Sequence, residues 1–343
     1  MIKKVLSIQG SGTLVLGALL ILEYIEEVTG KRIAELFDAI EGGSSGALVA
    51  FMLTVPNEIG KPKYTAREVS EFITYWHKLI MDYENSGFPT NKSGYKTLIK
   101  VYDEIFGTKI LDEALKPVYG YSIKYTVIDD EIKLFCWSSV CDSKNRLYKD
   151  AALSVTALPS RYVHNIGKEY HIDAFMASYH SFIDIADKLK VIFNDISILK
   201  LSASDVHQIS VSAIEKEFLQ NPSSFSFNQL KPSFITHIYK AGNVFVTEEI
   251  QKHFAKTSTI LDYNFPKKIV WMKLSAEEIK YSYRNIMEKP KMKQKIKDYF
   301  DTDLIKHKGE SKLDICNIKD KIELIISKSL EQENKKDSVN KFK

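Results

Sequence analysis

Apolar and polar positions follow two rhythms along the first half of the chain. Val5 to Ile8 is a short apolar run, followed by Gly10-Ser11-Gly12, a turn that permits unusual backbone angles and close approach. Leu14 to Val28 then carries apolar residues at helical spacing, with Glu23, Glu26 and Glu27 as polar positions, and Gly30 is a stop. Leu36 to Ile40 predicts a second strand, Gly42-Gly43-Ser44-Ser45-Gly46 a second tight turn, and Ala47 to Leu53 a second helix that Pro56 ends. Strand, glycine turn, helix, strand, glycine turn, helix is the order of a right-handed βαβα unit with parallel strands.

Farther on, Val69, Phe72, Ile73, Trp76, Leu79 and Ile80 give helical spacing to Ala66–Tyr83. Ser86 to Gly94 reads as a loop and Leu98 to Phe106 as a short helix. Tyr121–Ile128 and Ile132–Trp137 predict strands around the turn Asp129-Asp130, and Glu169–Ile172 a strand leading into Asp173. Residues 191 to 280 mix both rhythms without a readable order. From Lys306 the chain is polar, with one amphipathic helix over Ile318–Leu330 and a tail. The expected fold is a three-layer α/β/α domain over 1–305, with a central, mostly parallel sheet and helices on both faces, followed by the polar stretch 306–343.

Composition narrows the function. With 343 residues, 44% hydrophobic and 27% charged, the chain can bury a large core and does not have the make-up of a disordered protein. A net charge of +4, with no basic stripe, gives no case for nucleic acid. Cys136, Cys141 and Cys316 form no CxxC pair, so neither a metal site nor a disulfide framework is expected, and a reducing, cytoplasmic setting is. Lys3 and Lys4 before the apolar run Leu14–Leu22 imitate a signal peptide. However, Gly10-Ser11-Gly12 interrupts the pattern and no small-residue cleavage site follows, so a cleaved leader is not expected.

Two turns carry candidate chemistry. Gly42-Gly43-Ser44-Ser45-Gly46 fits G-x-S-x-G and stands between a predicted strand and a predicted helix. A nucleophilic serine must project from such a turn, where neighbours are small and the helix N-terminus favours negative charge. A glycine turn that merely allows tight packing fits the same residues. Gly10-Ser11-Gly12 could cradle an oxyanion or a phosphate. It is not a dinucleotide fingerprint, because Val15 stands where a third small residue is needed and Arg32 where an acid is needed. A serine nucleophile also needs a base. His77, His164, His171, His180, His207, His237, His253 and His307 are all open for that role, as is an aspartate held in a partly dry cleft, such as Asp173 at its strand end.

In this order the pieces resemble the patatin-like phospholipases. Leu6 to Gly12 is similar to that family's oxyanion turn, and Ile33 to Gly46 to the run ending in its nucleophile elbow. Ala151 to Ser160 is similar to its Ala-Thr-Ser-Ala-Ala-Pro segment, and Tyr170 to Phe175 to the strand end bearing its catalytic aspartate. Asp112 to Val118 echoes its Leu-Lys-Pro-Val segment, and the likeness covers roughly residues 3 to 260. It implies an acyl hydrolase acting on phospholipids or other lipid esters, in peripheral contact with membranes. Ser44 would be the nucleophile, Asp173 the base and Gly10, Ser11 and Gly12 the oxyanion hole. Gly42, Gly43, Ser45 and Gly46 would shape the elbow, and neither metal nor organic cofactor would be needed. The sequence departs from the family at Gln9, Ser11, Ala174 and Phe175. A Ser-Asp-His esterase and a degenerate, lipid-binding relative stand as alternatives; the oligomeric state is not legible.

Overall fold

The computed structural model describes residues 3–10, 12–82, 92–126, 131–157, 162–174, 196–202, 258–262, 276–287 and 290–300. Strand β1 is Lys3–Ile8. A 3-10 turn over Gly12–Val15 leads into α1, Leu16–Thr29, which ends as read: Gly30 takes φ 65 and returns its N–H to Glu26 O. The second strand lies later than the apolar run suggested. Residues Ile33–Leu36 form a short helix, α2, and β2 is Ala39–Gly42. Two carboxyl groups favour the helical turn, because half-buried Glu26 accepts the N–H of Ile33 and Glu35 that of Arg32 at the start of α2. Helix α3 is Ser45–Thr54, with all ten residues buried, as expected of a helix that is apolar all round.

Helices α4 (Ala66–Asp82) and α5 (Lys92–Phe106) follow. The latter takes in Lys92 to Gly94, which the glycine and serine content assigned to a loop. Strands β3 (Val118–Thr126) and β4 (Glu131–Ser138) pair antiparallel, and the expected turn Asp129-Asp130 lies outside the described residues. Then come α6 (Tyr148–Val155), β5 (His164–Ile166), β6 (Glu169–Asp173), β7 (Ile196–Ser202) and β8 (Ser258–Asp262). Helices α7 (Ala276–Met287) and α8 (Pro290–Tyr299) complete the set, and no described helix is long and apolar enough to cross a membrane. The helix expected over Ile318–Leu330 and the polar tail lie outside the described residues.

The sheet runs β5-β6-β3-β2-β1-β7-β8, with β4 on β3. β1, β2, β3, β7 and β8 are mutually parallel. β4, β5 and β6 form an antiparallel flank. The main core lies between one face of the sheet, through Leu6, Ile8, Ile40 and Val118, and helices α1 and α3 to α8. The opposite face is also buried, through Val5, Ala39, Tyr119, Tyr121 and Ile198. The fold is α/β with a mostly parallel sheet.

That second face carries a polar row. Ser7, Glu41 and Tyr119 are cross-strand neighbours on β1, β2 and β3, and all three are buried. Ser7 Oγ donates to Glu41 Oε1, and Oε2 has no hydrogen-bond partner. Burial pushes the Glu41 carboxyl up to about 7 from 4.5, against the opposing effects of the Ser7 hydrogen bond and the Lys200 charge. A folded-state pKa above the unfolded value means that the carboxyl's stabilising contribution is full below about pH 4.5. It is lost as pH rises through about 7. Glu41→Gln should therefore raise stability at pH 8 by as much as about 3 kcal/mol and leave it nearly unchanged at pH 4.5. Thermal melts of both proteins at the two pH values check this.

Candidate active site

β1 and β2 run in parallel with Ile8 opposite Gly42, so the turns that leave them emerge side by side. The serine turn is tightly constrained. Ser44 has φ 49 and ψ −124, the only positive φ at a non-glycine position among the described residues. Such a conformation costs about 1–3 kcal/mol and persists only where the surroundings enforce it. Here α3 begins immediately behind the serine, and the N–H groups of Ala47 and Leu48 return to Ser44 O at 2.9 and 3.1 Å. Gly42 and Gly46 make that closure possible: a Cβ on Gly42 would lie 2.3 Å from the Gly46 carbonyl, and one on Gly46 2.1 Å from Ile8 O.

Gly10 is packed against this elbow. A Cβ there would meet Gly43 O at 2.2 Å and Ser44 Cβ at 2.7 Å. Gly12 takes φ 57 as the chain turns into the 3-10 segment, and Ser11 lies outside the described residues. Two nearby N–H groups have structural partners: Gln9 donates to Leu201 O at 3.0 Å, and Gly43 to Ile8 O at 3.2 Å. Gln9, one of the departures from the patatin pattern, thereby ties the first turn to β7. The composition of the first turn suggests a loop outside the packed core, but Gly10 is buried. Gly10→Val should therefore cost both function and fold, about 1–3 kcal/mol of stability from overpacking together with activity. Parallel melting and rate measurements would show whether the two losses travel together.

Asp173 reaches Ser44 by a route the sequence did not suggest. Parallel strands would carry both residues to one sheet edge. Instead β6 is antiparallel to β3, with Asp173 opposite Ser122. β4 occupies one edge of β3 throughout, so β2, at Val118 and Tyr119, and β6, at Ser122 to Thr126, share the other edge. Their C-terminal ends meet head to head near Gly120. Phe51 and Ala47 of α3 press on Gly120, where a Cβ would lie 2.8 Å from the Phe51 ring. Asp173 is buried and its N–H donates to Ala157 O at 2.9 Å. Ser44 Oγ donates to Asp173 Oδ2 at 2.5 Å.

Two histidines lie nearby. His171 is two residues before Asp173 and on the same face of the strand. Its Nδ1 is 2.9 Å from Ser122 Oγ, which also accepts the Trp137 Nε1–H at 2.8 Å. Its Nε2 is 3.6 Å from Glu169 Oε2, too far for a hydrogen bond. Burial first, then the His164 charge, lowers the imidazole pKa to about 3, so it is neutral and weakly basic. His164 lies between Tyr95 OH, 2.6 Å from Nδ1, and Asp150, 3.2 Å from Nε2. Neither ring has Ser44 among these partners. The side chain of His77, and His180, His207, His237, His253 and His307, lie outside the described residues, as does Phe175. Ser122, opposite Asp173, carries no sequence signal, and Ala157, which accepts the Asp173 N–H, was read only as part of the stretch Ala151 to Ser160. Ser122 is one polar position inside a strand of large residues, and its role depends on pairing with a strand about fifty residues away.

Fold and site together define an α/β protein with a strained serine elbow hydrogen-bonded to a buried aspartate. No family model matches the chain. Patatin-like protein 2 of Arabidopsis thaliana is 30% identical over 166 residues, 45% of this chain and 40% of that protein. Patatin of Solanum tuberosum is 35% identical over 121 residues, 33% of this chain and 31% of that protein. Among solved structures, VipD from Legionella pneumophila aligns with a TM-score of 0.37 and 11% identity over 86% of this chain and 67% of that one. The chain is similar in sequence to patatins and patatin-like proteins, and its matches span less than half the length of these two relatives.

Proposed function

We propose that the protein is a serine acyl hydrolase that releases fatty acids from lipid esters, phospholipids among them. The observation that carries this reading is the 2.5 Å hydrogen bond from Ser44 Oγ, on a strained elbow, to the buried Asp173. In the reaction the Ser44 oxygen attacks the ester carbonyl as its proton passes to Asp173 Oδ2. The resulting oxyanion is held by N–H groups at Gly10, Ser11 and Gly12 and by the N-terminal end of α3. Proton return from Asp173 expels the alcohol and leaves an acyl-serine. Water, deprotonated by the same carboxylate, then releases the fatty acid and restores Ser44. Apart from that water, every step uses side-chain and backbone groups of the chain. An ester in a bilayer must be drawn to the elbow, so peripheral contact with a membrane surface is part of the proposal, as is a cytoplasmic setting.

The test is fatty-acid release from mixed phospholipid vesicles by wild-type protein and by Ser44→Ala. Release that depends on Ser44 supports the proposal. A folded wild-type protein that binds vesicles without turnover would point to the degenerate, lipid-binding alternative.

A further inference from the structure

On the sheet face opposite Asp173, two cysteines are held together by the fold. Cys136 lies on β4 opposite Tyr121 and packs against the second core cluster. Cys141 follows in the turn after β4, and the two Sγ atoms are 3.8 Å apart. The turn between them is fixed by hydrogen bonds. Ser143 Oγ accepts the Ser138 N–H and donates to Cys136 O, each at 2.8 Å. Val140 N–H donates to Ser138 Oγ at 3.1 Å, and Lys144 N–H to Cys141 O at 3.0 Å. Both thiols are half-buried and unbridged, and Val140, next to Cys141, is 50% exposed, so small reagents have access at the turn.

We propose that Cys136 and Cys141 form a redox site, oxidised to an intramolecular disulfide by low-molecular-weight disulfides. A disulfide needs a sulfur separation of about 2 Å, within reach of side-chain rotation from the observed contact. The Cys141 thiolate, on the accessible turn, attacks one sulfur of the small disulfide and expels a thiol, leaving a mixed disulfide. Cys136 then attacks the Cys141 sulfur and expels the second thiol. The protein gives up two electrons and two protons, and the reagent leaves as two thiols. Only a pair already in contact completes the second step quickly, and the turn's hydrogen bonds supply that contact. The site does not depend on the proposed hydrolysis, because it lies behind the sheet from Ser44 and Asp173.

The test uses the full chain carrying Cys316→Ser, incubated with glutathione disulfide, quenched in acid, alkylated and weighed intact. The expected product has lost both alkylation sites and the mass of two hydrogens, carries no glutathione, and reverts with dithiothreitol. Cys136→Ser in the same background should stop at the mixed disulfide, and Cys141→Ser should form neither the bridge nor, at a comparable rate, the mixed disulfide. Closure should be about tenfold or more faster in native protein than in urea, since the advantage comes from pre-orientation. Stable glutathione adducts on the parent chain, or equal closure rates with and without urea, would overturn the proposal. So would a bridge to Cys316 instead in the unmodified chain. Circular dichroism of each variant separates these outcomes from a failure to fold.

Discussion

Ser44→Ala is expected to lower fatty-acid release by on the order of a thousandfold or more while the protein stays folded. The alanine removes the attacking oxygen and the hydrogen bond to Asp173, but it fills the same space and keeps the same backbone. Its effect on stability should be small, about 1 kcal/mol from the lost bond. Ser44→Gly separates chemistry from strain. It removes the same oxygen, and it relieves the positive φ of 49, which a glycine adopts freely. Glycine should be as inactive as alanine and melt at a higher temperature, with about 1 kcal/mol or more recovered from the relaxed elbow. A fluorophosphonate probe should label Ser44 in wild type and neither variant. Labelling at Ser45 or Ser11, or full turnover by either variant, would remove Ser44 from the reaction.

The sequence made the elbow legible because its glycines mark close backbone approach, whether the partner is near or far along the chain. Gly42 lacks a side chain for a reason acting within its own strand-to-helix turn, where a Cβ would lie 2.3 Å from the Gly46 carbonyl, whereas Gly46 and Gly10 are required by contacts between the two turns, with Ile8 O and Gly43 O. Gly30 and the buried run of α3 are legible from their own helices. The boundary of β2 was not, because Leu36, Phe37 and Ile40 are apolar at a spacing that serves either a helix end or a strand. Carboxyl groups of Glu26, from α1, and Glu35 favour the helix end by capping α2. The way Asp173 arrives was not legible either. Its strand reads the same in parallel or antiparallel pairing, since alternation reports the buried face and says nothing of direction. Ser122 became a neighbour of the aspartate only through that pairing.

Asp173→Asn is expected to abolish turnover nearly as fully as Ser44→Ala, and the double variant should be no worse than either single one. The amide keeps the shape of the carboxylate and can still accept the Ser44 hydrogen bond through its oxygen, so the elbow should hold its geometry. It cannot take the proton, which is the step the carboxylate supplies. The aspartate sits at the head-to-head junction of β2 and β6, buried, with its backbone pinned to Ala157 and its oxygen 2.5 Å from the serine. That placement gives orientation and exclusion of water, the two conditions under which a group of reference pKa about 4 can act as base to a hydroxyl. The described histidines provide the contrast. His171 shares the strand face, but its Nδ1 is engaged with Ser122, and burial has brought its pKa to about 3, too low for an efficient base near neutral pH. His164 is engaged with Tyr95 and Asp150. His171→Gln should therefore lower the melting temperature through the Ser122–Trp137 network and reduce the initial rate by less than about tenfold, and His164→Gln should behave alike. Single glutamine variants at His77, His180, His207, His237, His253 and His307, assayed on one lipid preparation, complete the series. If Asp173→Asn retained more than about a tenth of the wild-type rate while one folded histidine variant fell as far as Ser44→Ala, the proton would be travelling to that histidine, and a Ser-Asp-His triad would replace the dyad.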